Sequence, residues 1–414
     1  MLIKTSLIAA VFSAIMFVFV TGCNAEPQSI EPFLIPCPPE YGIRVLLDDN
    51  AKKITFAIDD EYQIVNFDTT KILNASSTTG PIEVTVDNNS IKIGRERLNT
   101  RRAIIQPQSF QPFRINDDLA YRGNLEIIIN ADNKTMMVIN NVQLETYLAG
   151  VIAAEMPSYW EIEALKAQAI ASRTYCLYMK TKFGKNRHWD VKATQANQVY
   201  KGVRVETMRT TEAVHRTKGV VLCCEQEMGC EEFPAYYSSA CGGHTENSEN
   251  VFGDSFEPLR GVDCPYCRKS ARPTLFNWPQ AVFDQNIVTK NILDKYPALI
   301  ELGQIVKIEP SKESTYDNNF RRIVSVKLTG STGKTAILRA EDLRLSIDPT
   351  GAKIQSTCCT IVSLKDEFIF IAGKGFGHGV GLCQYGSREM ARQGKTAEQI
   401  LNYYYPNSRL KSLY

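Results

Sequence analysis

Histidine and tryptophan are scarce in this chain, and neither sign of charge is in excess. The 414 residues include four His and three Trp, and 47 Lys and Arg oppose 45 Asp and Glu, for a net charge of +2. Duplex nucleic acid normally requires a strongly basic face, so nucleic acid is not expected as a partner. With 44% hydrophobic and 22% charged residues, no internal repeat and no low-complexity segment, the sequence excludes a collagen, a coiled coil and a wholly disordered protein.

Long apolar runs are also lacking, except near the start. The run from Leu7 to Val20 follows Lys4 and is shorter than the ~20 residues of a membrane span, which is typical of a secretory signal. It ends at Val20-Thr21-Gly22-Cys23, a pattern typical of a bacterial lipobox. We therefore predict a lipoprotein-type signal peptide over residues 1–23, with Cys23 as the lipid anchor. The protein would be exported and membrane-anchored, facing the periplasm or cell wall. A plain signal peptide cleaved nearby is the alternative.

The rest of the chain changes character twice. Residues 24–40 contain five Pro and are predicted to be a tether. Residues 41–135 alternate apolar and polar side chains, as in Ile54/Phe56/Ile58 and Leu125/Ile127/Ile129, which predicts a β-rich N-terminal part. Residues 136–412 are predicted to form the catalytic region.

Two helices stand out in that region. Glu161 to Lys182 contains no Gly or Pro and carries an apolar stripe at steps of three and four residues, with Ser158 and Glu161 as a predicted capping box. A second helix is predicted over Ala397–Tyr404, with Thr396 and Gln399 as its capping pair. The fold class is therefore α+β, strand-rich, with one prominent central helix.

Glu155 is a candidate catalytic residue. It is a lone carboxylate among apolar and small residues just before the central helix, and such surroundings raise a carboxyl pKa, as a general acid requires. The alternatives are a solvated Glu at a helix entry, or a Glu paired with an arginine such as Arg173.

Two glycine-containing motifs follow. Tyr236–Asn247 combines a Gly pair with Ser, Thr, Asn and His, which suits a sugar, although a polar loop with a tight turn would look similar. Gly373–Gly386 alternates Gly around His378 and lacks the Gly-Lys-Ser/Thr ending of a phosphate loop. His378 could position a substrate or be structural.

Three cysteines and one histidine have the spacing of a metal site. Cys241-x-x-His244 is followed by Cys264-Pro265-Tyr266-Cys267, which predicts a structural zinc site of four protein ligands. Disulfides are one alternative and a redox-active Cys-x-x-Cys pair is another. No organic cofactor is predicted.

The other cysteines divide as well. Cys176 lies on the helical stripe and is predicted to be a core residue. Neighbouring cysteines are expected to pair outward rather than with each other, and up to three bridges could form among Cys37, Cys223, Cys224, Cys230, Cys358 and Cys359.

Taken together, these motifs resemble the sporulation stage II protein D (SpoIID) family, which also includes amidase-enhancer proteins. The resemblance rests on Tyr147–Pro157 with its continuation Glu163–Tyr175, on Ser238–Asn247 with Val251-Phe252-Gly253, and on Gly373–Gly386 through Tyr404-Tyr405-Pro406; Gln198–Gly202 adds support. It covers roughly residues 40–412 and implies a SpoIID-like fold.

The resemblance implies a lytic transglycosylase that cleaves the bond between N-acetylmuramic acid and N-acetylglucosamine in peptidoglycan glycan strands, leaving 1,6-anhydro ends. Glu155, in the Glu-Met-Pro step, would be its sole acid/base. On the matching positions, the implied substrate contacts are Arg173, Gln198, Tyr200, Ser238, Ser239, Gly242, Gly243, Thr245, Glu246, His378, Gln384 and Tyr385.

The chain also departs from the family pattern. Cys241-Gly242-Gly243-His244-Thr245 stands where many members carry Ser-Gly-Gly-Arg-Thr, and Cys383 stands where Ser is usual. Two other functions remain open: a non-catalytic cell-wall-binding enhancer of an N-acetylmuramoyl-L-alanine amidase, and hydrolysis with Glu246 or Glu249 as a second carboxylate.

Overall fold

The computed structural model describes residues 38–76, 80–109, 111–116, 119–226, 229–317 and 319–414. The signal peptide, Cys23, Cys37 and most of the tether lie outside these residues, so export and lipid anchoring stay predictions. In the described part of the chain, the helices are all too short or too polar to span a membrane.

The alternating segments of the N-terminal part form short strands because each can bury one face. In chain order these are Gly42–Ala51 (β1), Lys53–Ile58 (β2), Tyr62–Asn66 (β3), Ile72–Ser76 (β4), Ile82–Asp87 (β5), Ser90–Ile93 (β6), Glu96–Arg97 (β7), Arg102–Pro107 (β8), Phe113–Ile115 (β9), Leu119–Tyr121 (β10), Asn124–Ile129 (β11) and Met136–Gln143 (β12).

These strands build two sheets that share one core. The first has the order β1-β12-β11-β8-β3-β4, with the short strand Val191–Lys192 (β13) added beside β1, and the second has the order β10-β9-β2-β5-β6-β7. Val45 and Ile105 of the first sheet and Ile54 and Val84 of the second belong to the same buried cluster. Strand β12 pairs with both β1 and β11, so the first sheet crosses residue 135; the domain division at that residue stays a prediction.

The helices follow this β-rich part. They are Leu144–Glu155 (α1), Ile162–Phe183 (α2), Met208–Arg216 (α3), Ser248–Val251 (α4), Cys267–Ser270 (α5), Pro273–Phe276 (α6), Gln285–Lys295 (α7), Ala340–Ile347 (α8), Gln384–Arg392 (α9) and Ala397–Tyr404 (α10). Short 3-10 helices occupy Pro39–Tyr41, Gly184–Asn186, Gly202–Val205, Glu257–Leu259 and Pro297–Leu302.

The central helix α2 is confirmed, but its start differs from the prediction. Glu161 is the N-cap residue and its side chain makes no capping bond, so the predicted Ser158/Glu161 capping box is wrong. The helix is buried on more than its apolar stripe: Leu165 and Ala169 pack in the first core, whereas Ala167 and Ile170 pack in a second core. Small side chains allow this double packing because they let neighbouring segments approach on both sides.

The second predicted helix is confirmed with its cap. In α10, the Thr396 hydroxyl accepts the amide of Gln399, and the Gln399 side chain accepts the amide of Thr396. This reciprocal pair satisfies two amides that the first turn would otherwise leave unbonded.

The remaining strands lie after α3. They are Val220–Gln226 (β14), Gly229–Glu231 (β15), Tyr237–Ser238 (β16), Asn277–Trp278 (β17), Ala281–Asp284 (β18), Ile305–Thr315 (β19), Arg321–Gly330 (β20), Thr335–Arg339 (β21), Thr360–Ser363 (β22), Glu367–Ile371 (β23), Gly373–Lys374 (β24), Leu382–Cys383 (β25) and Ser408–Ser412 (β26). The sheets β18-β23-β22 and β19-β20-β21, with α7 and α8, surround a third core. In the chain this core lies between the second motif, Tyr236–Asn247, and the third motif, Gly373–Gly386. The α+β, strand-rich fold class is confirmed.

A buried ion pair joins α1 to α2. Arg173 donates from Nε and Nη2 to the Glu145 carboxylate at 2.8 and 2.6 Å, and neither side chain is exposed. The same carboxylate accepts the amide of Gly219 and the hydroxyl of Tyr414. Arg173 is therefore enclosed with Glu145, and its ion pair within the described residues is with Glu145 rather than with Glu155. Its predicted contact with substrate stays a prediction.

Replacing Arg173 with Met should destabilise the protein strongly, because Glu145 would keep a buried charge without its cation. We expect a loss of about 3–5 kcal/mol in the free energy of unfolding, measured by denaturant titration. Arg216→Met is the matched control: it removes the exposed α3 pair with Glu212 and should cost less than about 0.5 kcal/mol. Equal unfolding midpoints for the two variants would contradict this account.

Candidate functional site

Glu155 is the last residue of α1, at the turn that leads to α2. Its side chain is partly buried, and its Oε1 accepts the backbone amide of Val199 at 2.8 Å. The helix therefore carries the carboxyl to the edge of the core without sealing it from solvent.

The environment raises the pKa of Glu155 above its ordinary value. Desolvation by burial is the largest cause, and hydrogen bonds from the Val199 amide and from the side chains of Gln384 and Tyr237 oppose it. The negative end of the α1 dipole acts in the same direction as burial. The carboxyl thus keeps its proton to a higher pH than an exposed Glu does, as a general acid requires.

A buried polar network lies behind Glu155, centred on Gln198. The Gln198 Nε2 donates to the Tyr237 hydroxyl at 3.1 Å and to the Ser172 carbonyl at 3.2 Å, while its Oε1 accepts the Tyr147 hydroxyl at 3.1 Å. Burial, followed by the charge of Glu155, raises the pKa of Tyr237, which keeps its hydroxyl protonated. Gln198 therefore orients a group beside the carboxyl.

Tyr200 lies deeper in the same region. Its ring packs against Tyr147 with 4.9 Å between centroids, and its hydroxyl donates to the Asn140 side chain at 3.0 Å. Tyr200 is fully enclosed, so its place is in the support of the site rather than in a substrate contact.

Strand pairing brings the second and third motifs together beside Glu155. Strand β16 runs parallel to β25, so Tyr237 lies opposite Leu382 and Ser238 opposite Cys383. Bridges between Ala240 and Phe376 and between Glu246 and Val380 extend the contact. This pairing places Tyr237 from one motif and Gln384 from the other near the same carboxyl.

The alternating glycines of the third motif serve this close approach. Gly381 has φ 70°, and a Cβ added there would lie 2.0 Å from the Tyr236 carbonyl oxygen. At Gly375, with φ 78°, it would lie 2.5 Å from the Ala240 oxygen. On the facing loop, Gly242 has φ 84°, and a Cβ added there would lie 3.1 Å from the Lys374 carbonyl oxygen. Gly243, with φ 131°, meets only the Phe320 ring at ordinary contact distance, so its backbone conformation alone favours glycine. Gly242, Gly375 and Gly381 therefore act through backbone packing.

Ser238, Ser239 and Tyr385 line the junction of the two motifs. The Ser238 hydroxyl is buried and has no hydrogen-bond partner among the described residues. The Tyr385 amide donates to the Ser239 carbonyl at 3.0 Å, and the Tyr385 ring packs 4.9 Å from the Trp160 ring. Ser239 and Tyr385 are partly exposed at this junction, whereas the unpaired Ser238 hydroxyl is buried beneath it.

Three predicted substrate contacts are occupied by the protein itself. Glu246 is buried and accepts Ser314, Tyr316 and Asn250, with Arg322 close by. The Thr245 hydroxyl accepts the Val262 amide. His378 Nδ1 accepts the Val380 amide, and burial lowers the pKa of His378 to about 4, so the ring is neutral at neutral pH and joins loop segments.

Four cysteines form a compact sulfur group that differs from the predicted zinc set. The Sγ atoms of Cys241, Cys264, Cys267 and Cys383 all lie within 4.8 Å of one another, and all four residues are buried. His244 is not among them: its ring stacks on Tyr316 at 3.7 Å, and its Nδ1 lies 2.6 Å from the Thr245 carbonyl oxygen. The substitution of Cys for the usual Ser at Cys383 was the sequence signal for the fourth member.

A disulfide joins Cys223 of β14 to Cys230 of β15, with 5.5 Å between the Cα atoms. Cys223 therefore pairs outward, as predicted, rather than with its neighbour. Cys358 and Cys359 form no disulfide within the described residues, and Cys176 is a buried helix residue.

The Gly381→Ala substitution tests the loop contact. The variant should unfold at a distinctly lower denaturant concentration, because the added methyl forces apart the backbones of residues 236 and 381. Gly394→Ala is the matched control: its φ of 82° imposes a similar backbone strain of about 1–2 kcal/mol, but nothing lies within 4 Å of the added Cβ. Equal losses in both variants would show that conformation alone matters at Gly381.

Comparison with known proteins identifies the family. A sequence model of the SpoIID family, described as stage II sporulation protein, matches residues 132–223, which include Glu155 and Gln198. An uncharacterized protein of Brachyspira hyodysenteriae is 31% identical over 363 residues, which are 88% of this chain and 91% of that protein.

Two relatives from Bacillus subtilis carry functional names. Stage II sporulation protein D is 29% identical over 66% of this chain and 75% of its own length, and an amidase enhancer is 31% identical over 64% of this chain and 40% of its own length. Residues 132–223 therefore form a SpoIID-family segment, and similarity to SpoIID and amidase-enhancer proteins extends over about two thirds of the chain.

Proposed function

We propose that this protein is an exported lytic transglycosylase of peptidoglycan glycan strands, with Glu155 as its single acid and base. The observation that carries the proposal is the position of Glu155 at the end of α1, where its partly buried carboxyl accepts the Val199 amide at 2.8 Å. Burial at this position raises the pKa of the carboxyl. The SpoIID-family segment and the motifs around this residue support the proposal.

The proposed reaction uses one carboxyl twice. Protonated Glu155 gives its proton to the glycosidic oxygen as the bond from C1 of N-acetylmuramic acid breaks. The carboxylate then takes the proton of the C6 hydroxyl as that oxygen closes on C1, giving the 1,6-anhydro sugar. The proton returns to Glu155 and no water is consumed, so a second carboxylate is unnecessary, unlike in ordinary glycoside hydrolysis.

The groups that hydrogen-bond Glu155 fit this scheme because they are neutral. The Val199 amide and the Gln384 and Tyr237 side chains stabilise the carboxylate formed after proton donation. Glu246, which could have served as the base for hydrolysis, is instead held by Ser314 and Tyr316. These contacts disfavour hydrolysis with Glu246 as the second carboxylate.

Two further features support sugar binding outside the cytoplasm. Tyr159, four residues after Glu155, has an exposed ring with the Arg388 guanidinium 5.6 Å from its centroid, and such rings stack on sugars. It is a candidate contact that the sequence motifs left unassigned.

The Cys223–Cys230 disulfide is typical of an oxidising compartment.

The Glu155→Gln variant should fail to produce anhydro-muropeptides, because the amide cannot donate or accept the reaction's proton. The full exported chain is incubated with intact and with denuded glycan strands, and the products are identified by mass spectrometry. Glu249→Gln, which alters an exposed carboxylate in α4 just after the Tyr236–Asn247 motif, is the control and should keep wild-type rates. Identical products from wild type and Glu155→Gln would refute the proposal, and non-anhydro reducing ends would indicate hydrolysis.

The amidase-enhancer relative favours a second candidate function, the binding and stimulation of a cell-wall amidase. An amidase assay with and without the protein separates the two. Stimulation that persists in Glu155→Gln, together with no anhydro product from wild type, would favour the binding role.

The raised pKa of Glu155 also predicts how stability depends on pH. A carboxyl whose pKa is higher in the folded state binds protons more tightly there, so its ionisation destabilises the fold as pH rises above the unfolded value of about 4.3. Glu155→Gln should therefore be as stable as wild type or more stable at pH 7. This advantage should shrink as pH falls towards 4, measured as the difference in Tm at each pH. A Tm below wild type at pH 7 that recovers in acid would contradict the assigned direction.

A further inference from the structure

We propose that Cys241, Cys264, Cys267 and Cys383 bind one zinc ion, which ties together three segments around the Glu155 site. The proposal rests on the geometry of the four sulfur atoms and is independent of the proposed enzymatic function.

The sulfur separations fit a single tetrahedral ion. Four Zn–S bonds of about 2.3 Å place the sulfur atoms about 3.8 Å apart. The Cys241 and Cys267 Sγ atoms are 3.7 Å apart, and no pair in the group exceeds 4.8 Å. All four positions are filled by protein sulfur, so the site is closed and structural rather than catalytic.

The surroundings suit thiolate ligands. The Cys241 amide donates to Cys383 Sγ at 3.3 Å, and the Tyr404 hydroxyl lies 3.2 Å from Cys264 Sγ. Gly386 leaves room for this second contact, since a Cβ there would lie 1.9 Å from the Tyr404 hydroxyl oxygen. Donors of this kind orient metal ligands and stabilise their charge.

Disulfide and redox roles fit these residues less well. A disulfide requires sulfur atoms about 2.05 Å apart, a bond that Cys223 and Cys230 form elsewhere in the chain, whereas Cys241 and Cys267 remain 3.7 Å apart. Cys264 and Cys267 are both buried, and Cys267 opens a helix of only four residues. A reactive cysteine would be partly exposed.

The position of the ligands gives the ion its role. Cys264 and Cys267 belong to one turn, and Cys241 lies three residues after strand β16. Cys383 ends strand β25 and directly precedes Gln384, which hydrogen-bonds Glu155. An ion bound by all four would fix the two loops that meet beside the carboxyl. Binding as thiolates releases the thiol protons.

The first test uses the full exported chain purified without added metal or chelator. Elemental analysis should find about one zinc per chain, and alkylation of the denatured, unreduced protein should label all four cysteines. Disulfides among them with no metal, or iron in place of zinc, would overturn the proposal. Cobalt(II) replacing zinc in wild type should show thiolate charge-transfer bands of a tetrahedral four-sulfur site. A spectrum of another geometry would contradict the ligand set, whatever the folding of any variant.

The second test separates the structural ligand set from the one predicted by spacing. Cys383→Ser should lose at least nine-tenths of the bound zinc and unfold at a lower temperature, whereas His244→Asn should retain about one zinc per chain. Cys176→Ala, which removes a buried thiol outside the group, is the matched control and should also retain the zinc. Zinc retained by Cys383→Ser but lost from His244→Asn would overturn the assignment.

Discussion

The parallel pairing of Tyr237–Ser238 with Leu382–Cys383 is the contact on which the rest of the site depends. It joins segments about 145 positions apart in the chain and brings a tyrosine and a glutamine to one carboxyl. The residue before β25 must be glycine because the backbone of Gly381 lies directly against that of Tyr236. The same contact places Cys383 among three other cysteines, so the Glu155 site and the sulfur group share one scaffold.

Charge compensation distinguishes Glu155 from the other buried acids. Glu145 is paired with Arg173, and Glu246 lies against Arg322 and accepts hydrogen bonds from the hydroxyls of Ser314 and Tyr316. The groups that hydrogen-bond Glu155 are neutral, so burial is the dominant influence on its pKa and raises it. A structural acid and the candidate catalytic acid thus differ both in their partners and in their depth, since Glu145 and Glu246 are fully buried and Glu155 is not.

How well each feature could be predicted depends on how far apart in the sequence its interacting residues lie. Helix α10 was predictable with its cap because the capping bonds join residues three apart in sequence. The cap of α2 was not, since the same local pattern at Ser158 and Glu161 makes no such bond once the segment after Glu155 packs. Arg173 lies in a motif close in sequence to Glu155, yet its partner is Glu145, at the opposite end of α1 from Glu155. His244 had the right spacing for a metal ligand but stacks on Tyr316, and Cys383 takes the fourth place.

The sequence by itself determined the strand-rich α+β class, the central helix, the motifs and the singling out of Glu155, because alternation, helical periodicity and local composition are properties of neighbouring residues. Only the tertiary structure decided which side chains meet: Gln384 and Tyr237 at Glu155, Arg173 at Glu145, and four cysteines around one point. These contacts depend on strand pairing and core packing between segments far apart in the chain. The spacing of residues in the sequence does not predict either.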